Sequence, residues 1–106
     1  MGYEYDAIAN DVDDYRRRRD TLPLELESLP TFSRSVGACE VWLSEPGRPE
    51  GGWEEVQLVF GHDRVRLACM TALSTAVRND LRVVLALIGG PGGARYVDDD
   101  GEPASF

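Results

Sequence analysis

The chain has 106 residues, 42% of them hydrophobic, and 19 acidic against 11 basic side chains give a net charge of −8. That length supports one domain with its own core and leaves too little material for a second. The charge opposes attraction to nucleic acid or anionic lipid and favours a partner with a basic surface.

All eleven basic residues are arginine, and Gly, Ala, Val and Asp are plentiful. This is the composition of a GC-rich coding sequence, as in a high-GC bacterium, its phage or a salt-loving archaeon. The longest apolar run, Val83 to Ile88, is too short to cross a bilayer, and the N-terminus lacks the pattern of a secretion signal. A cytoplasmic location with no membrane contact is therefore expected. Cys39 and Cys69 stand in no CxxC spacing and, with the lone His62, are too few for zinc. Both read as inert thiols, and no metal or cofactor is expected.

In chain order, Tyr5, Ile8, Val12 and Tyr15 recur at helical spacing and predict a helix from about residue 3 to residue 19. Its acids, Glu4, Asp6, Asp11, Asp13 and Asp14, precede Arg16, Arg17, Arg18 and Arg19, which suits the helix macrodipole. Asp13 to Arg17 and Asp14 to Arg18 are i,i+4 pairs that stabilise the helix. The arginine run thus has a structural explanation, and no direct contact with nucleic acid is expected from it. Residues 20–34 form a connector, because Pro23 and Pro30 forbid one continuous helix. Its leucines argue that it packs down, and Leu24 to Glu27 suits either an edge piece or a helical turn.

Alternation predicts a strand over 35–44, with Cys39, Val41 and Leu43 on one face and Ala38, Glu40 and Trp42 on the other. The Pro- and Gly-rich residues 45–52 form a loop. A second strand runs from Trp53 to Phe60, with Val56, Leu58 and Phe60 facing one way, and a third from about Asp63 to Met70, with Val65, Leu67 and Cys69 opposed to Arg64 and Arg66. Gly61-His62 as a two-residue turn sets Leu58 against Val65, Val56 against Leu67 and Gln57 against Arg66. Residues 71–88 predict a helix capped by Thr71. Asp80 falls within its apolar stripe, so a break there, with a fourth strand or a second helix over 81–88, is the alternative. Residues 89–106 read as a Gly- and Asp-rich mobile tail.

The expectation is an α+β domain over 1–88, a three-stranded antiparallel meander flanked by an N-terminal and a C-terminal helix. Domains that bind double-stranded RNA share this αβββα order, but their basic motif is absent, and order alone carries no function.

Catalytic patterns lack parts. His62 beside Asp63 reads as turn chemistry, no serine lies in a Gly-x-Ser-x-Gly context, and a phosphate loop needs the lysine this chain does not have. Surface features stand out instead. The outer sheet face is expected to carry Glu40, Trp42, Glu55, Gln57, Arg64 and Arg66, with Trp53 at its rim, and Trp and Arg dominate binding hot spots. Acidic patches at Asp6, Asp11, Asp13 and Asp14, and at Glu50, Glu54 and Glu55, would meet a basic protein. The function expected is a non-enzymatic protein-binding module, an inhibitor or antagonist such as an immunity, anti-defence or nucleic-acid-mimic protein. A self-associating subunit, pairing as a homodimer through the Trp42 face, is the alternative, ahead of a small enzyme or ligand-binding protein.

Overall fold

The structure, a computed structural model, describes residues 3–47, 54–70 and 72–106. Tyr3–Ala9 is a strand, β1, and the N-terminal helix is confined to α1, Val12–Arg18. The long helix expected over 3–19 is therefore corrected. Tyr5, Ala7 and Ala9 point into the core while Glu4, Asp6 and Ile8 point out, a period of two overlaid on apparent helical spacing. Asp11 caps α1 by accepting from the Asp14 N–H at 3.1 Å.

A five-residue helix, α2, Leu22–Leu26, follows with Pro23 in its first turn, where a missing N–H costs nothing. The strand expected over 35–44 is instead a hairpin: β2, Phe32–Val36, turns at Gly37 into β3, Glu40–Leu43. Gly37 has φ of +62°, a conformation that a side chain would strain. Next come β4, Val56–Phe60, and β5, Val65–Cys69. Their register pairs Leu58 with Leu67 and Phe60 with Val65, two residues from the expected one, and Val59 rather than Gln57 meets Arg66. Both loops are even in length, so the inward set is unchanged. The Gly61 N–H donates to the Arg64 carbonyl at 2.8 Å, and a Cβ on Gly61 would lie 2.9 Å from that oxygen.

Thr75–Gly89 is one helix, α3, capped by Ser74, so residues 81–88 are not a strand; Thr71 lies outside the described residues. Beyond it, Ala94–Asp98 forms β6 and Pro103–Ala104 forms β7. The end of the chain, expected as a tail with little to bury, thus belongs to the sheet, and Tyr96 within it is buried.

The result is a seven-stranded antiparallel sheet in the order β2-β3-β4-β5-β1-β6-β7, in place of the predicted three-stranded meander. Among the described residues, the α-helices α1, α2 and α3 lie on one face. Val41, Leu43, Val56, Leu58, Phe60, Val65 and Leu67 of the sheet close a core with Tyr15, Leu22, Leu26, Val77, Leu81, Val84 and Ile88. The opposite face has no helix over it among the described residues, and Ile8, Trp42, Val59, Ala68 and Val97 there are half-buried. No helix among the described residues is long and apolar enough to cross a membrane.

Candidate functional site

The outer sheet face brings together Asp6, Glu40, Trp42, Glu54, Arg64 and Arg66, all singled out in the sequence. Trp42 and Glu40 alternate with Val41 on β3, and the Trp42 Nε1–H donates to Glu40 Oε2 at 2.6 Å. The Arg34 guanidinium sits 5.0 Å from the Trp42 ring centroid and forks onto Glu54 at 2.9 and 3.1 Å. Farther along, Arg66 donates to Glu4 at 2.8 Å and to Asp6 at 3.4 Å, and Arg64 reaches Asp6 at 3.4 Å. The hydrogen bond to Glu4, helped by the Asp6 charge, raises the pKa of Arg66 above its ordinary value. These exposed pairs orient side chains but contribute little stability.

Asp11, Asp13 and Asp14 lie apart from that face, on α1. Asp13 pairs with Arg16 at 3.6 Å, and Asp14 pairs with Arg17 at 3.3 Å and Arg18 at 2.8 Å. The hydrogen bond from Arg18 holds the Asp14 carboxyl below its usual range. Arg18 also donates to the Leu87 and Ile88 carbonyls at 2.8 and 3.0 Å, which places a cation on the C-terminal end of α3. Glu55, expected on the outer face, is buried and accepts from the backbone N–H groups of Glu45 and Ser74 at 2.7 and 2.6 Å. It ties the end of β3 to the start of α3. Trp53 and Glu50 lie outside the described residues.

So most of the acids named from the sequence are engaged within the fold. The carboxylates of Asp20, Glu25 and Glu27 are exposed and have no cation partner among the described residues. They surround α2. Leu22 and Leu26, one helical turn apart, are fully buried, which turns Leu24 outward to 64% exposure. Beside it lies a cleft of about 250 Å³ lined by Asp20, Pro23, Leu24, Glu27, Ser35, Gly37 and Ala38. This corner was missed in the sequence. The helical turn was one of the two alternatives for Leu24 to Glu27, and the i,i+4 spacing of Leu22 and Leu26 favours it, which faces Leu24 and its acidic neighbours to water.

A second acidic group stands at the far end of the sheet, where a cleft of about 480 Å³ lies between Tyr3, Tyr5 and Asp98 to Asp100. Asp98 accepts from the backbone N–H groups of Asp100 and Glu102 at 2.9 and 3.0 Å, so its carboxylate is turn-forming. Asp99 lies 3.7 Å from Arg66.

Burial pushes the Cys69 thiol up to about 11, which keeps it protonated, and Cys69 faces the core. His62 is exposed in the β4–β5 turn. Among the described residues no group of three or more His, Cys, Asp or Glu side chains is placed to hold a metal ion. Comparison of the chain with family models, curated proteins and solved structures finds no match.

The buried phenols give the fold an alkaline limit. Tyr15 donates to the Gly61 carbonyl at 2.9 Å, and burial pushes its pKa from 10.0 to about 12. Burial raises Tyr96 as well. A group that must stay neutral in the fold stabilises it fully below its unfolded pKa and loses that contribution as pH rises through the folded value. Unfolding followed by circular dichroism is therefore expected to set in as pH passes from 10 toward about 12, together with phenolate absorbance. Tyr15→Phe should shift the onset upward. Phenolate absorbance centred on pH 10 that is present in the folded native chain and lost in Tyr15→Phe would show Tyr15 to be open to water.

Proposed function

We propose that this chain is a non-enzymatic binding module for a basic protein, acting as an inhibitor or antagonist of that partner. The observation that carries the reading is the contrast between engaged and free charge. Arg16, Arg17, Arg18, Arg34, Arg64 and Arg66 are paired with carboxylates inside the fold. Asp20, Glu25 and Glu27 project beside the exposed Leu24 without a cation among the described residues. A cluster of uncompensated carboxylates next to an apolar contact supplies both the steering and the anchor that a basic partner needs. A nucleic-acid-mimic role fits this chemistry, because it targets a surface built to hold phosphate, and an immunity or anti-defence role fits it where the target carries such a surface.

The test is affinity capture from source lysate at about 50 and 500 mM salt, run beside a variant carrying Asp20→Asn, Glu25→Gln and Glu27→Gln. A basic protein held by the native chain, weakened by salt and lost from the variant is the expected result. Equal retention by both chains would sink the reading for this corner. A second reading, self-association through the outer sheet face, is favoured by the half-buried Trp42 braced between Glu40 and Arg34. It predicts that the captured species is the chain itself, and that Trp42→Ala abolishes capture.

A further inference from the structure

We propose that the β2 edge receives an extended basic segment of the partner as an added strand, seated over the α2 cleft. This rests on the binding-module reading and specifies how the partner is held. The two edges of the sheet differ. β7 is two residues long and begins with Pro103, which closes that edge to pairing. β2 is five residues long, contains no proline, and leaves Arg34, Ser35 and Val36 exposed. The Phe32 N–H is taken by the Leu29 carbonyl at 3.0 Å, and the register shifts between Phe32 and Arg34. Pairing is thereby confined to the stretch from Arg34 to Val36 and the turn beyond it. The edge is a short, directed template rather than a general one.

The cleft adjoins that stretch, since Ser35, Gly37 and Ala38 line it together with Pro23 and Leu24. An extended chain alternates its side chains, so those on the helix side of an added strand descend toward the cleft. The apolar stem of an arginine or lysine fits over Pro23, Leu24 and Ala38 while its charged head meets Asp20 or Glu27. Backbone pairing, apolar cover and charge then converge on one occupant. A second copy is the poorer occupant: pairing two β2 edges would bring Asp20 and Glu27 of both chains together, each chain carrying −8. Nucleic acid is opposed by the same charge.

The probe is a synthetic peptide of about eight residues alternating valine and arginine, titrated onto the full chain by heteronuclear NMR. Two companions accompany it: the same peptide with alternate amides N-methylated, and a valine–glutamate version. Shifts and slowed exchange at Arg34 to Val36, with shifts at Leu24, are expected from the valine–arginine peptide alone. N-methylation should weaken binding at least about tenfold, and Asp20→Asn with Glu27→Gln about tenfold at low salt. Both carboxylates are exposed, so those variants should keep the native spectrum, and Leu24→Ser gives an independent test of the cleft.

Equal affinity for the N-methylated peptide would overturn strand addition while leaving a charge-based binding module standing. Shifts confined to the outer sheet face or the β6–β7 turn would overturn the site. No shifts with either basic peptide would overturn the proposal, whereas the capture experiment judges the binding-module reading on its own. A doubled mass in sedimentation, with β2 amides protected before peptide is added, would replace the partner strand with a second copy.

Discussion

Removing residues 94–106 is expected to abolish cooperative unfolding. β6 pairs with β1 over five residues, Tyr5 with Asp98 through Ala9 with Ala94, so its loss turns an interior strand into an edge. Tyr96 is 2% exposed and its hydroxyl donates to the Leu81 carbonyl on α3 at 2.6 Å. Losing a buried aromatic of this size costs about 3–5 kcal/mol by itself. Phe106 adds edge-to-face contacts with Tyr5 and Tyr96 at 5.1 and 4.9 Å, and its backbone oxygen accepts from Arg82 at 2.7 Å. Against a total stability of about 5–15 kcal/mol for a domain, these losses leave little margin. The truncated chain should show a broad, low-amplitude urea transition and poorly dispersed amide spectra. A sharp transition at a nearly unchanged midpoint would show that β1 to β5 with α3 form the stable unit unaided.

The part of the fold legible in the sequence was the part where alternation was uninterrupted. Val56, Leu58 and Phe60, and Val65, Leu67 and Cys69, were assigned to one face, and all are buried. Even the misplaced turn at Gly61 did not change those faces, because the error was two residues and the period is two. What failed was local pattern overridden by distant pairing. The stretch from β1 into α1 carries helical spacing in Tyr5, Ile8, Val12 and Tyr15, but only β5 and β6 on the two sides of β1 explain why its first part is extended. The same applies to β6, where Tyr96 and Val97 are too few to announce a strand without β1 beside them. Gly37 was a missed signal that lay in the sequence itself, a glycine inside an apparent strand.

The candidate site was legible only in half. Glu40 and Trp42 were placed together correctly by alternation. The acids on α1 were singled out by density, although density at helical spacing from arginines also predicts that they pair. Asp14 illustrates this: it meets both Arg17 and Arg18. Asp20, Glu25 and Glu27, which have no cation partner among the described residues, also have no arginine one helical turn onward. Charge available to a partner is thus better read from what lacks a neighbour than from what is abundant.

Replacing Asp80 by alanine is expected to destabilise the fold by about 2–4 kcal/mol. Asp80 sits in the apolar stripe of α3, between Val77 and Leu81, and is 8% exposed. Its misfit there in the sequence has a physical answer in the segment before β2. Asp80 Oδ2 accepts from the Thr31 backbone N–H at 3.0 Å and from the Thr31 hydroxyl at 2.6 Å. Thr31 is itself buried, and its carbonyl accepts from the Ser44 N–H at 2.8 Å, so one carboxylate anchors the entry to the β2–β3 hairpin onto α3. Alanine would leave two buried donors without an acceptor, and the penalty for an unsatisfied donor exceeds the net worth of the bond. The midpoint of thermal unfolding should fall by roughly 10–20 °C. Thr31→Val should cost less, because its backbone N–H keeps its acceptor. In the Asp80→Ala background Thr31→Val should cost less still, since the hydroxyl it removes has by then lost its partner. Additive costs in that double-mutant cycle would mean that the Thr31 hydroxyl and Asp80 act independently, and that the carboxylate holds the hairpin through the Thr31 backbone N–H alone.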